Sequence, residues 1–141
     1  MSRHGGQEGL SELELLATIG FEGKVKGGLK LHHDCSNLIY ALGNTIVIKD
    51  ITRNNFTFLN GHTNSVSCLA VSKSGQYLAS GQINFMGFKA KVIIWDFKKQ
   101  QEWAGHELHK VKVEAVVFSA SEQYLFLLVA QMMAVLLYGT S

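Results

Sequence analysis

Short apolar runs separated by polar turns follow one another along most of the chain. Thr45–Ile48 and Val92–Trp95 are rich in β-branched residues and have the length of a strand. Val66–Val71 carries apolar residues at both alternating sets of positions, which is typical of a strand covered on both faces. The polar residues and glycine of Ser72–Gly75 predict the turn that follows. No stretch before Tyr124 shows apolar residues at helical spacing, so the pattern predicts an all-β protein.

An internal repeat joins these predicted strands into larger units. When the sequence is shifted by 47 residues, segment 66–79 aligns without gaps on segment 113–126. Identical residues then coincide at Val66/Val113, Ser72/Ser119, Ser74/Ser121, Gln76/Gln123, Tyr77/Tyr124 and Leu78/Leu125, and at His62/His109. A fainter copy lies 40 residues upstream, at Leu29–Asp34 and Leu38–Ala41. Repeats of about 40–47 residues built from short strands are typical of propeller blades, which have four strands each.

Composition and charge narrow the possible classes of protein. Of the 141 residues, 47% are hydrophobic and 17% are charged, which excludes an intrinsically disordered chain. The net charge of +2 creates no strong basic field, so we predict no nucleic-acid partner. Cys35 and Cys68 are too few for a disulfide scaffold and are typical of a protein from a reducing compartment.

The two ends of the chain depart from the repeating pattern. Residues 1–20 form an N-terminal segment without the apolar core of a signal peptide. Tyr124–Tyr138 is apolar except for Gln131. This run is shorter than the roughly 17–20 residues that a membrane-spanning helix needs. We therefore predict no membrane partner and keep a tail anchor as the weaker alternative.

Two dipeptides, one at each end of the central repeat, resemble those of a known family. Gly61-His62 opens the repeat and Trp95-Asp96 closes it, and this combination resembles the WD-repeat β-propellers. The resemblance implies a buried polar chain in which His62, Ser80 and Trp95 hydrogen-bond with an aspartate from a turn. It assigns the structural WD motif to Gly61, His62, Ser80, Trp95 and Asp96.

The chain departs from this family pattern in each of its repeats. Lys89–Lys91 stands where the turn aspartate of the central blade is expected. The first repeat ends in Lys49-Asp50, which keeps the aspartate and lacks the tryptophan. The third repeat has Leu108-His109 in place of Gly-His. The polar chain of the central blade is therefore expected without its usual aspartate.

A closer resemblance covers residues 19–126. The matching segments are Ile19–Phe21, Leu38–Gly43, Asn64–Ala70, Ser74–Gln82 and the insertion Phe85–Ala90. Together they resemble the N-terminal part of the cilia- and flagella-associated WD-repeat proteins of the axonemal doublet microtubule. That resemblance implies a non-catalytic scaffold of the cytoplasm and cytoskeleton, located in the cilium or flagellum axoneme. It would be a microtubule inner protein that supports ciliary motility, with tubulin and other doublet-microtubule inner proteins as partners. The alternative is a generic cytosolic WD-repeat adaptor.

The repeat and the resemblance together predict an all-β, partial WD-repeat β-propeller of about two and a half blades, truncated within the third. The predicted divisions are an N-terminal segment at 1–20, a first blade at 21–60, a second blade at 61–104, the start of a third at 105–126 and an apolar tail at 127–141. Because each blade buries its faces against its neighbours, we expect such an open arc to be marginally stable or aggregation-prone.

The tail at 127–141 fits a shifted reading frame. Methionine has one codon, so reading Met132–Ala134 with each codon begun one base earlier forces Asp and then Gly at the last two positions, and Gly139 can become Trp. A WD blade has those residues at this point, so we predict that the tail is out of frame with the family. Chance overlap of two reading frames and alternative splicing stay open as explanations.

Several residues are of types that occur in catalytic or metal-binding sites. His32–Cys35 consists of ligand types, but four consecutive residues cannot all face one ion, so a polar turn is the preferred interpretation. His62 lacks a partnered carboxylate and is expected to be a structural hydrogen-bonding residue. Gly105–His109 fits a metal pair or a blade junction, and Cys68 is expected in the core. We predict no catalytic residue, cofactor, metal or small-molecule substrate, and hence no enzyme.

Overall fold

The computed structural model describes residues 25, 28–83, 89–108, 112–129 and 132–137. Eleven β-strands make up its regular structure: β1 (Leu29–Leu31), β2 (Asn37–Leu42), β3 (Thr45–Asp50), β4 (Asn55–Asn60), β5 (Val66–Val71), β6 (Tyr77–Gln82), β7 (Ala90–Asp96), β8 (Gln101–Leu108), β9 (Val113–Phe118), β10 (Tyr124–Val129) and β11 (Met132–Leu137). The described part of the chain contains no helix, and the predicted all-β class is confirmed.

The strands form three antiparallel sheets that follow the chain. The first sheet has the order β1-β2-β3-β4, the second β5-β6-β7-β8 and the third β11-β10-β9. Strands that are consecutive in the sequence are neighbours in each sheet, so every sheet is an up-and-down meander. The three sheets are arranged as an open arc of a propeller.

Equivalent turns relate the three sheets. The turns between β1 and β2, β5 and β6, and β9 and β10 each contain one residue in the left-handed region: Cys35 (φ 61°), Gly75 (φ 81°) and Glu122 (φ 59°). Those residues are 40 and 47 apart in the sequence, which are the offsets of the repeat. The repeat therefore corresponds to one structural unit, used three times.

The hydrophobic core consists of two layers, one between each pair of neighbouring sheets. The layer between the first and second sheets contains Ile39, Ala41, Ile46, Ile48, Leu59, Val66, Leu69, Leu78, Ile93 and Trp95. The layer between the second and third sheets contains Cys68, Ala79, Ala90, Val92, Ile94, Val113, Val116, Leu125, Leu127 and Val129. Close approach in this second layer depends on Gly81, where an added Cβ would lie 2.5 Å from a methyl group of Val113.

The sheets divide the chain at different points from the predicted blades. Residues 105–108, assigned from the repeat to the third blade, lie in β8 of the second sheet. The reason is the antiparallel ladder between β7 and β8, which continues as far as the Ala90–Leu108 pair. The third sheet starts only at Val113.

The predicted apolar tail also takes part in the third sheet. Leu127–Val129 completes β10, and Met132–Leu137 forms β11, which pairs with β10 from Val129–Met132 to Tyr124–Leu137. Alternating apolar residues of strand length satisfy such a ladder whatever their origin, so the shifted reading frame stays a prediction. The described residues include no helix long and apolar enough to cross a membrane. The segment 1–20, most of the insertion Phe85–Ala90 and His109 lie outside the described residues.

Candidate functional site: a buried polar chain

The second sheet holds four polar side chains in its interior. His62 lies in the loop between β4 and β5, Ser80 and Gln82 lie on β6, and Trp95 lies on β7. Ser80 and Gln82 are two residues apart, so the alternation of the strand places both side chains on the same face. All four residues are buried, with exposed fractions of 5%, 0%, 1% and 2% in the order named. Gly61 allows the preceding loop to pack on the tryptophan, since an added Cβ there would lie 2.9 Å from the ring of Trp95.

Hydrogen bonds connect these side chains in one direction. The indole Nε1–H of Trp95 donates to Ser80 Oγ at 2.8 Å. Ser80 Oγ and His62 Nε2 lie 2.6 Å apart, and His62 Nδ1 lies 2.8 Å from Gln82 Oε1. Because the amide oxygen of Gln82 can only accept, His62 carries its proton on Nδ1, and its Nε2 accepts from the hydroxyl of Ser80. The Gln82 amide then donates to Thr63 Oγ1 at 3.0 Å, which ends the chain.

This arrangement requires a neutral imidazole. A protonated His62 would donate from both ring nitrogens, so Nε2 would no longer accept from the Ser80 hydroxyl and that buried O–H would lose its acceptor. Burial lowers the pKa of His62, as does the positive charge of Lys91, whereas the hydrogen bond to Gln82 and the charge of Glu102 oppose the shift. His62 therefore stays neutral at physiological pH and serves as a hydrogen-bonding link.

Gln82 was not among the residues predicted from sequence. It occupies the role that the family resemblance gives to a turn aspartate, because its side-chain oxygen accepts the Nδ1–H of His62. The available signal was its position two residues after Ser80, which places both on one face of β6. The predicted partners His62, Ser80 and Trp95 are brought together by the fold, and Gln82 completes the group from the same sheet.

Asp96 is the member of the predicted motif that lies away from the polar chain. Its carboxylate accepts the backbone N–H of Lys99 at 3.0 Å, and its carbonyl accepts the N–H of Gln100 at 2.8 Å. Asp50 has the same position in the first sheet and accepts the N–H groups of Thr52 and Arg53. Both aspartates therefore stabilise the turn before the outermost strand of their sheet.

The residues His32–Cys35 lie in the turn between β1 and β2, and this turn contacts the second sheet. His32 Nε2 lies 2.7 Å from the carbonyl oxygen of Gly75, and His33 Nε2 lies 2.8 Å from that of Ser72, so both rings donate to the turn of the second sheet. The ring of His32 also stacks on Phe97 at 3.8 Å. These contacts occupy Nε2 of each ring, and Nδ1 of His32 accepts the backbone N–H of Asp34 at 3.2 Å.

The carboxylate of Asp34 is hydrogen-bonded within the same turn, and the two cysteines differ in burial. Burial alone would raise the pKa of Asp34, but hydrogen bonds from Ser36 and Asn37 and the neighbouring His32 lower it to about 2. Cys35 is exposed and Cys68 is buried, and burial raises the pKa of the Cys68 thiol to about 11. Within the described residues, no three His, Cys, Asp or Glu side chains are grouped so that they could hold a metal ion.

Two lysines at the start of β7 lie close to glutamates. Lys89 Nζ lies 3.6 Å from a carboxylate oxygen of Glu107, and Lys91 Nζ lies 3.6 Å from one of Glu102. Lys89 lies just before β7 and Lys91 lies on it, whereas both glutamates lie on β8.

Comparison with known families places the polar chain within a recognised repeat. The WD domain, G-beta repeat family matches residues 53–96, a range that includes Gly61, His62, Ser80, Trp95 and Asp96. The chain contains a WD repeat. The matched WD repeat runs from the turn before β4 to the end of β7, so it takes its outer strand from the first sheet and three strands from the second.

Relatives extend the similarity beyond this WD repeat. Cilia- and flagella-associated protein 52 of Mus musculus is 54% identical over 116 residues, which cover 82% of this chain and 19% of that protein. The protein of the same name from Chlamydomonas reinhardtii is 50% identical over 114 residues, covering 80% of this chain and 18% of that protein. The chain thus spans about a fifth of the length of the curated relatives it matches.

A solved structure with the same fold is the β-propeller domain of Cps50 (Swd1) from Myceliophteria thermophila. It has a TM-score of 0.64 and 17% identity, and the match covers 87% of this chain and 41% of that chain. At this identity the similarity concerns the fold, and it confirms the predicted propeller-like arrangement.

Proposed function

We propose that this WD-repeat chain is a non-catalytic scaffold module of cilia and flagella. The observation that carries the proposal is the 50–54% identity over about four fifths of the chain to cilia- and flagella-associated protein 52 from a mammal and from a green alga. A WD repeat on a propeller fold is typical of non-enzymatic scaffold proteins. The buried polar chain is consistent with that role, because His62, Ser80 and Trp95 hold the sheet together beneath the surface.

The more specific role that we propose is that of a microtubule inner protein of the doublet, located in the axoneme and supporting motility. Tubulin and other doublet-microtubule inner proteins would be its partners. A protein that binds inside a microtubule needs a rigid shape rather than a reactive site, and stacked sheets with a common core provide rigid surfaces.

Fractionation of motile cilia tests the proposed location. A tagged copy of the full chain is expressed in Chlamydomonas reinhardtii, and its axonemes are extracted first with detergent and then with salt. We expect the chain to stay with the doublets after both extractions. A matched variant, Ser80→Ala, weakens the fold without changing the surface and should reduce retention. Recovery of the wild-type chain entirely in the detergent-soluble fraction would favour the cytosolic adaptor.

Microtubule assembly in vitro tests the luminal position separately. The purified chain is added either before tubulin polymerises or to finished microtubules, and both samples are sedimented. A luminal binder should co-sediment strongly when present during polymerisation and weakly when added afterwards. Equal co-sedimentation in both orders would show an outer-surface binder, and absence of co-sedimentation would contradict a direct tubulin contact.

A further inference from the structure

A cleft opens between the first and second sheets, at the end of the arc that carries the turns after β1, β3, β5 and β7. We call it the turn cleft. Its first wall consists of positions on β2, β3 and β4 and of Arg53 in the turn after β3. Its second wall consists of Ser74–Gln76, Phe97, Lys98 and Gln100, from the turns after β5 and β7. The volume is about 520 Å³, within the ~300–1,000 Å³ of ligand sites. Both walls belong to described residues, so the turn cleft is a feature of the contact between two neighbouring sheets.

Contacts between the turns explain why the sheets separate at this place. The turns after β1 and β5 are joined, because His32 and His33 donate to the carbonyl oxygens of Gly75 and Ser72. Among the described residues, no hydrogen bond or ion pair joins the turn at 51–54 to the turn at 97–100. The two sheets are thus held together near β1 and β5 and diverge towards β4 and β8, which leaves the turn cleft between them.

The lining combines an apolar surface with unpaired neutral polar groups. Ile48 is buried, and Phe97 is half-buried with its ring stacked on His32. A side-chain amide carries both a donor and an acceptor, as a peptide bond does, so it can pair with an extended backbone. Both walls contribute polar side chains that form no hydrogen bond with any described residue: Asn55 and Thr57 on the first, Gln76 and Gln100 on the second.

Free positive charge lies on both walls of the turn cleft. Arg53 belongs to the first wall and Lys98 to the second, both are exposed, and neither side chain forms an ion pair or hydrogen bond with a described residue. Asp50 also lines the cleft, but its Oδ1 accepts the backbone N–H groups of Thr52 and Arg53 and the hydroxyl of Thr52. The carboxylate is therefore engaged in its own turn, and the unpaired charges are complementary to a negatively charged ligand.

We propose that the turn cleft binds an extended acidic segment of a partner protein. The side-chain amides of both walls pair with the backbone of that segment, Arg53 and Lys98 pair with its carboxylates from opposite sides, and Ile48 and Phe97 form the apolar surface beneath it. Complementary charge contributes more to selectivity than to affinity, so the cleft discriminates acidic from basic segments. Because the proposal concerns the packing of two sheets, it is independent of the ciliary location proposed above.

Fluorescence polarisation of the full chain with labelled peptides tests the selectivity. The probes are short peptides in which serine alternates with glutamate, with glutamine or with lysine. The glutamate peptide should bind saturably, the glutamine peptide more weakly, and the lysine peptide not at all. Absence of saturable binding by the glutamate peptide overturns the proposal, as does equal binding of the three peptides.

Neighbouring lysines provide a matched pair of variants for locating the binding. Lys98 and Lys99 are both exposed, but only Lys98 lines the turn cleft. Lys98→Gln and Arg53→Gln should each lower the affinity for the glutamate peptide about two- to fivefold, the range of an exposed ion pair. Lys99→Gln should bind like wild type, and circular dichroism verifies the strand content of each variant. Equal losses in Lys98→Gln and Lys99→Gln would show attraction by diffuse surface charge and overturn the proposal.

A modified probe tests the contact with the peptide backbone. The glutamate peptide is synthesised with N-methyl groups on its serine residues, which removes backbone donors and keeps every charge. We expect weaker binding of this probe to wild type, because the amides of the two walls lose their partners. Unchanged binding would show that only charge is recognised, which contradicts an extended segment paired with both walls.

Discussion

The second and third sheets place opposite chemistry at the same strand positions. On β6, Ser80 and Gln82 are buried and hydrogen-bonded to His62. The matching positions on β10, 47 residues later, are Leu127 and Val129, which are 1% and 3% exposed. Both pairs point towards the interior of the arc. One sheet therefore uses its inner positions for a polar chain, and the other fills them with aliphatic side chains.

The two sheets are stabilised in different ways. Backbone pairing is equally regular in the two sheets, so the ladder itself does not depend on the polar chain. The chain adds directional links between elements that the ladder does not join, because it ties the loop at His62 to β6 and β7. Leu127 and Val129 add buried apolar area, which stabilises without fixing direction. We therefore expect the second sheet to be the more sensitive to loss of one side chain.

The largest effect is expected from Trp95→Ala. This change removes the largest fully buried side chain and the indole donor to Ser80, and truncation of a buried tryptophan costs about 3–5 kcal/mol. The free energy of unfolding from urea titration measures it. Trp103→Ala, at a residue that is 37% exposed, is the matched control and should cost clearly less. Equal losses would show that the polar chain carries no special weight.

Leu127→Ser gives the third sheet the serine that the second sheet has at the equivalent position, Ser80. Loss of the buried leucine costs about 2–5 kcal/mol, and the new hydroxyl adds the cost of an unpaired polar group. Leu127→Ala serves as the reference because it makes a similar cavity without a hydroxyl. The serine variant should be less stable than the alanine variant in the same urea titration. A serine variant as stable as the alanine one would mean that the third sheet also provides a hydrogen-bonding partner.

Ser80→Ala interrupts the polar chain with little change in volume. The indole N–H of Trp95 and Nε2 of His62 both lose their partner, and burying such unsatisfied groups costs about 1–3 kcal/mol. Ser65→Ala, at an exposed serine in the loop before β5, should change stability very little. Thermal melting of both variants against wild type measures the difference. An equal shift in both would remove the argument for a connected chain.

The smallest effect concerns pH. The pKa of His62 is lowered in the folded state from its ordinary value of 6.5, so the unfolded chain binds a proton at higher pH than the folded one. The contribution of His62 to stability is therefore complete above pH 6.5 and decreases as the pH falls from there towards the folded pKa. Urea titrations between pH 8 and pH 5 should show this loss in wild type and a shallower one in His62→Gln. Identical slopes would assign the pH dependence to other groups.

The site could be predicted from sequence only where a residue type has one usual role. Gly61, His62, Ser80 and Trp95 were predicted through the family resemblance, and the fold brings the three polar members together. Gln82 was missed, because glutamines are common on strands and the sequence gives no sign that this amide reaches the imidazole. Its alternation with Ser80 specifies a face of β6, whereas the distance to His62 depends on how the loop before β5 folds back over that face.

The sequence alone determined the strand class, the turns and the repeat offsets of 40 and 47, because alternation, turn residues and periodicity are local properties of the chain. Tertiary structure alone decided that residues 105–108 complete the second sheet, that Met132–Leu137 joins the third, and that Gln82 takes the place of an aspartate. The physical reason is the same in each case. Which strand pairs with which, and which polar atom meets a buried imidazole, depends on residues that are far apart in sequence and meet only when the sheets stack.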